Sequence, residues 1–206
     1  MTVVSSPTVG PSELNLPTEA VARPISSVNW TSQVLADLER FHALLIGPGL
    51  GADPETLAAT AELIERAPIP VVVDADALTA IAAHPNCIKG RSAPTILTPH
   101  DGEFKTLTGA QPGLDRCSSV RSAARRSIVL LKGPTTLVAN PDGELIFVRS
   151  GDQRLATAGS GDVLAGIIGA LIGYAPTHLA VAAAAHWHGR AAALGQSGMI
   201  ASDLPS

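Results

Sequence analysis

HALLIGPGLGADPETLAATAELIERAPIPVVVD (His42–Asp74) is the stretch from which the architecture can be read. Its first five residues are a short apolar run that ends in a glycine loop, Gly47-Pro48-Gly49-Leu50-Gly51. Asp53-Pro54 then marks a helix start, a capping residue followed by proline at the first helical position. The helical pattern runs to about Arg66, and Pro70 opens a second apolar strand, Val71–Asp74. Neither strand alternates polar with apolar residues, so both faces must be covered. Strand, helix and strand of this kind predict a mostly parallel sheet between helical layers.

Working outward toward the C-terminus, the pattern repeats. A short helix through Ala83 precedes a strand at Thr95–Leu97, and a helix follows over Asp101–Thr108. Another helix near Asp115–Arg125 leads to the strand Ile128–Leu131. Thr136–Ser150 reads as the one hairpin, turning at Pro141-Asp142-Gly143. Two helices close the chain, over Gly161–Gly173 and Thr177–Leu194. Toward the N-terminus, Ser32–Phe41 has helical spacing, with Val34, Leu35, Leu38 and Phe41 on one face. Residues 1–29 are rich in Pro, Ser and Thr, with one β-like run at Thr2–Ser5. The expectation is a three-layer α/β/α domain over residues 1–206, with an antiparallel hairpin at one edge of its sheet.

Composition narrows the function classes. Hydrophobic residues are 46% of the chain but aromatics only 3%, so the core is built from Ala, Val, Leu and Ile. Net charge is −4, and the basic residues are scattered, with Arg121, Arg125 and Arg126 on one solvated helix face. That is no nucleic-acid footprint. The longest apolar run, Val163–Ala175, has 13 residues including three glycines, too short to span a bilayer. No signal-peptide pattern opens the chain, which predicts a cytoplasmic protein. Cys87 and Cys117 lack CxxC spacing and read as free thiols.

In sheets of this class ligands collect at the carboxyl ends of the strands. Four loops fall there: GPGLG, DAD (Asp74–Asp76), TPH (Thr98–His100) and KGPTT (Lys132–Thr136). A fifth motif, GSGD (Gly159–Asp162), opens the helix after the hairpin. Free N–H groups and the dipole at a helix start attract phosphate, and glycines admit it closely. GSGD therefore reads either as an anion hole with an adjacent general base or as an ordinary turn with Asp162 at a helix start. KGPTT offers a cation and two hydroxyls to a nucleotide, or is a surface turn; no Walker GxxxxGK[ST] occurs. GPGLG lacks GxGxxG spacing, so it is not a dinucleotide fingerprint. Asp74 and Asp76 suit Mg²⁺ or substrate hydroxyls, or a structural role with Asp76 capping the next helix and Asp74 on loop amides. His100 is a ligand contact or a surface histidine, and Glu103 completes a capping box. In HWHGR, His186 and His188 point apart on a helix, which excludes a metal pair and favours a packed Trp187 with a polar flank. No GxSxG elbow is present.

Taken in order, GPGLG, DADAL (Asp74–Leu78), LTPHDGEF (Leu97–Phe104), LKGPTT (Leu131–Thr136), AGSGDVLAG (Ala158–Gly166) and HGRAA (His188–Ala192) resemble the ADP-dependent (S)-NAD(P)H-hydrate dehydratases of the ribokinase-like superfamily. The resemblance covers roughly residues 40–203. It implies a ribokinase-like fold and a nucleotide-dependent repair of hydrated NAD(P)H, with phosphorylation of the C6 hydroxyl followed by loss of phosphate. It further implies Asp162 as catalytic base, the N–H groups of Gly159, Ser160 and Gly161 as anion hole, and Lys132, Gly133, Pro134, Thr135, Thr136 and Gly161 at the adenine nucleotide. Gly49, Gly51, His100 and Asp162 would hold the hydrate. Mg²⁺ would bridge the phosphates of ADP or ATP, with no dedicated protein metal site, and a homo-oligomer is implied. The family's GGTGD pattern is changed here to Ala158 and Ser160. Thr2–Ser5 looks like the family's second strand, which implies truncation before it. Two other readings stay open: a kinase of the hydroxymethylpyrimidine or hydroxyethylthiazole type, and an inactive nucleotide-binding remnant.

Overall fold

The computed structural model describes residues 1–14, 16–175 and 177–204. Its strands are short and apolar, and their neighbours are set by the βαβ connections read above. In chain order, β1 is Thr2–Val4 and β2 Ala20–Ala22, followed by helix α1 (Trp30–Leu35) and strand β3 (Leu44–Ile46). Next come α2 (Pro54–Arg66), β4 (Val71–Val73), α3 (Asp76–Ala83), β5 (Thr95–Leu97), α4 (Asp101–Thr108) and α5 (Arg116–Ala123). Strands β6 (Ile128–Leu131), β7 (Thr136–Ala139) and β8 (Leu145–Val148) precede α6 (Ser160–Ile172) and α7 (His178–Leu194). The main sheet has six strands in the order β3-β4-β5-β6-β7-β8. Strands β3 to β6 are parallel, and the hairpin β7–β8 adds two antiparallel strands at one edge, as expected.

The two faces of the sheet bury different halves of each strand. Val71, Val73, Leu97, Val129 and Leu131 pack against Leu63, Leu78, Phe104 and Val120 of α2 to α5. Val72, Ile96 and Leu130 point the other way, against Leu164, Ile168, Ile172 and Val181 of α6 and α7. Each such side chain contributes about 1.5–3 kcal/mol by leaving water, which explains why no strand alternates in polarity.

Helix α2 starts as read, with Asp53 at the cap and Pro54 first in the helix. Its C-terminus is held by a residue the sequence did not single out. Arg91 donates to the carbonyls of Ile64, Ala67 (2.7 Å) and Ile69 (2.9 Å), and to Thr95 Oγ1 (2.8 Å). One guanidinium therefore satisfies carbonyls that the helix end leaves unpaired.

Three expectations are corrected. The helix expected over Ser32–Phe41 is α1 plus a separate 3-10 turn at Leu38–Arg40. Asp37 leaves helical geometry (φ −117°, ψ 2°) and its carboxylate pairs with Arg23 at 2.7 Å. Strand β2, hidden in a Pro- and Thr-rich segment, pairs parallel to β1 in a sheet of its own. Trp187 is not packed: it is 56% exposed, whereas His188 is 5% exposed. Both cysteines are free, and burial pushes the Cys87 thiol up to about 11. Among the described residues no helix is long and apolar enough to cross a membrane.

Candidate active site

The parallel register sets the ends of the strands side by side, Ile46 beside Val73 and Val73 beside Leu97. Backbone bonds then stitch the following loops together. Asp74 N–H donates to Ile46 O (3.1 Å), Thr98 N–H to Val73 O (3.2 Å), and Lys132 N–H to Pro99 O (2.8 Å). Gly47 is a required glycine: at φ 137°, a Cβ there would lie 1.7 Å from Asp74 O. The loops after β3, β4, β5 and β6 thus form one rim.

The DAD loop turns on a strained residue. Ala75 has φ 48° and ψ −126°, a conformation that costs a non-glycine residue about 1–3 kcal/mol. The flanking carboxylates part company there. Asp76 Oδ2 accepts from Gly51 N–H at 2.8 Å, tying this loop to the glycine loop. Asp74, 2% exposed, pairs with Lys132 Nζ at 2.9 Å. The structural roles expected of the pair are therefore corrected. Ala75, not Asp76, is the capping position of α3, and Asp74 meets a lysine in place of loop amides.

His100 caps α4. Its Nδ1 accepts from Gly102 N–H (3.0 Å) and Glu103 N–H (3.2 Å), while Glu103 accepts from His100 N–H (2.8 Å), completing the capping box. An accepting Nδ1 leaves the ring proton on Nε2, which lies 3.6 Å from Glu103 Oε1 in an exposed side chain. Glu103 also stands 3.4 Å from Lys132 Nζ. Arg116, unnoticed in the sequence, grips Asp101 through two bonds of 2.8 Å and donates to Lys132 O at 3.3 Å. Its guanidinium holds the Asp101 carboxyl below its ordinary value. Beyond Lys132, Gly133 and Pro134 are exposed, Thr135 and Thr136 are half-buried, and Thr136 opens β7.

The GSGD turn faces this rim. Gly159, at φ 83°, caps the start of α6, and Ala158 is not among the positive-φ residues, so alanine is tolerated there. Val163 is the first residue to donate to a carbonyl of the turn, Gly159 O (3.1 Å). Among the described residues the N–H groups of Gly161 and Asp162 consequently have no helical partners. Ser160 N–H donates to Thr157 O (3.3 Å), and Ser160 Oγ lies 3.3 Å from His188 Nε2 in the interior. Burial holds His188 below its ordinary value, which favours the neutral imidazole. A Cβ on Gly161 would sit 3.5 Å from Lys132 Nζ and 3.8 Å from Asp74 Oδ2, which places that ion pair against the first turn of α6. Asp162 itself is exposed and makes no ion pair within 4 Å among the described residues. Its carboxyl is raised, first by lost hydration, then by Asp74 and Glu103, against the opposing pull of Lys132.

Gly161, Asp162, His100 and Lys132 are thus brought to one rim through Asp74 and Glu103. Gly51 joins it through Asp76, which commits its N–H, and Gly49 lies two residues before it in the same loop. A raised carboxylate, N–H donors without helical partners among the described residues and a cation around one rim are the groups that phosphoryl transfer to a hydroxyl calls for.

The NAD(P)H-hydrate dehydratase family model matches residues 8–205. The chain is 49% identical over 135 residues to the bifunctional NAD(P)H-hydrate repair enzyme Nnr of Mycobacterium tuberculosis, covering 65% of this chain and 28% of that enzyme. It spans under a third of that relative's length. It is also similar to the ADP/ATP-dependent NAD(P)H-hydrate dehydratase of Bacillus subtilis co-crystallized with ATP and Mg²⁺, at 31% identity and TM-score 0.73, covering 91% of this chain and 70% of that one. A ribokinase-like superfamily protein from Enterococcus faecalis superposes with TM-score 0.76 at 23% identity, covering 90% and 66%. That likeness speaks to the fold, which is ribokinase-like.

Proposed function

The chain belongs to the NAD(P)H-hydrate dehydratase family, and from that premise we propose that it restores NADH or NADPH from the S form of the hydrate at the expense of ADP or ATP. Asp162 takes the proton of the C6 hydroxyl as its oxygen attacks the terminal phosphorus. The bond to the nucleotide's bridging oxygen breaks, and the nucleotide leaves one phosphate shorter. The unpaired N–H groups at the start of α6 stabilise the charge on the transferring group. With that oxygen now bonded to phosphorus, the original C6–O bond breaks with phosphate as leaving group, pushed by the ring nitrogen, and loss of a proton from C5 restores the double bond.

The observation that carries the reading is the first turn of α6, where an unpaired raised carboxylate stands beside free N–H groups and the Lys132 ammonium. Lys132 to Thr136 would take the nucleotide, and His100 Nε2–H with the Gly49 segment would take the hydrate. For Mg²⁺, no cluster of three or more His, Cys, Asp or Glu side chains is gathered among the described residues. Mg²⁺ would be carried on the nucleotide's phosphate oxygens, where it would neutralise their charge.

The test is recovery of reduced-nicotinamide absorbance from NADPH hydrate with Mg²⁺ and either ADP or ATP. Recovery with one nucleotide and not the other identifies the donor. Thermal stabilisation by nucleotide without recovery would refute the activity and leave a kinase for another hydroxyl or a binding remnant.

A further inference from the structure

Among the described residues Lys132 has two carboxylate partners and neither is Asp162. This needs a cause, because the ammonium lies close to the turn that carries Asp162: 3.5 Å separates Nζ from where a Gly161 Cβ would be. The cause is Asp74. Its carboxylate is buried, its bond to Nζ is 2.9 Å, and its Oδ2 lies on the same side of Gly161. The strained Ala75 supports this aim, since the turn there sends Asp74 inward while Asp76 is anchored on Gly51. Strain retained beside a reactive centre indicates a position worth holding.

We propose that Asp74 is a positioning residue for phosphoryl transfer, acting through Lys132: it tethers the ammonium over the first turn of α6 so that the cation serves the phosphates and Asp162 is left unpaired to accept the substrate proton. The inference rests on the dehydratase reading for the identity of the step. The groups that face Asp162 are Asp74 from the loop after β4, Glu103 from α4 and Lys132 from the loop after β6, with neutral His188 of α7 behind Ser160. Removing the Asp74 charge takes away a like charge and leaves Lys132 held by Glu103 alone, freer to swing toward Asp162. Both changes favour ionised Asp162 and weaken it as a base.

The test compares D74N, K132M and the double variant D74N/K132M. In D74N, kcat should fall at least about tenfold, part of the 10²–10⁴ that a general base contributes, and the acid limb of its pH profile should move to lower pH. In K132M the limb should move to higher pH, with a raised KM for nucleotide. The double variant should lie between them. A merely structural role predicts no such opposition of sign. The same comparison is read without turnover by carbon-13 NMR titration of the Asp162 carboxyl in the nucleotide-free chain, assigned with D162N. If wild type recovers no coenzyme, the dehydratase reading fails and the titration alone still judges the tether. If D74N does not fold, K132M against the double variant gives the Asp74 effect. An Asp162 titration that is unmoved, or moved to higher pH, on removing the Asp74 charge overturns the proposal.

Discussion

Replacing Asp162 by Asn tests the centre of the argument, because the structure separates its catalytic cost from its structural one. The side chain is exposed and has no ion pair to lose among the described residues. Its carboxyl is raised by lost hydration and by two neighbouring carboxylates. A carboxylate raised on folding stabilises the native state below its unfolded pKa, and that contribution disappears as pH rises through the folded value. At neutral pH the ionised group is therefore a burden, and D162N should melt at an equal or higher temperature than wild type. The gain should shrink on acidification toward the ordinary carboxylate range. Chemistry should respond in the opposite sense. Loss of a general base lowers kcat about 10²- to 10⁴-fold, or about 3 to 5 kcal/mol in the barrier. Nucleotide binding, assigned in the proposed function to the KGPTT loop and the α6 amides, should survive. Coenzyme recovery, thermal melts at several pH values and nucleotide titration read all three quantities. Full turnover in D162N, or a melting temperature that drops at neutral pH, would refute the assignment.

Other substitutions probe the scaffold around this centre. A75G should stabilise the chain by about 1 kcal/mol in chemical denaturation, because glycine adopts φ 48° without the strain an alanine bears; a destabilised A75G would mean that the turn is not strained. H188Q should remove an acid-sensitive step in stability. A buried neutral histidine whose pKa is lowered from about 6.5 loses stability as pH falls below that value, since the unfolded chain takes the proton more readily. Melts of wild type and H188Q should therefore diverge below that pH and not above it, and parallel curves would exclude His188 as the source. R91M should cost about 3 kcal/mol or more in urea, since it strands carbonyls at Ile64, Ala67 and Ile69 in a partly buried setting; a cost below 1 kcal/mol would show that water replaces the guanidinium.

Local pattern made much of this molecule legible. Asp53-Pro54 announced α2, unalternating Val71–Val73 announced a strand covered on both faces, and Pro141-Asp142-Gly143 announced the hairpin. Each depends on residues within a few positions of one another, where backbone sterics and capping act. The glycine and acid motifs likewise marked the loops of the rim, because a phosphate site needs particular residue types at particular turns. The interruption of the helix after Leu35 was not legible, since it turns on Asp37 meeting Arg23 from a distant segment. Strand β2 was hidden for a related reason: Ala20–Ala22 has no pattern of its own and is a strand only beside β1.

The sequence alone therefore determined the order of elements, the composition of the two apolar faces and the set of loops that meet at the rim. Only the tertiary structure decided the partners within that set. Asp74 and Lys132 are 58 residues apart, and Ser160 and His188 are 28 apart. HWHGR shows the limit most sharply, with the tryptophan in solvent and the second histidine buried behind the GSGD turn. Pairings of this kind come from packing β4 against β5 and β6 and laying α7 over α6, and a linear chain holds no record of which side chains those packings bring within reach.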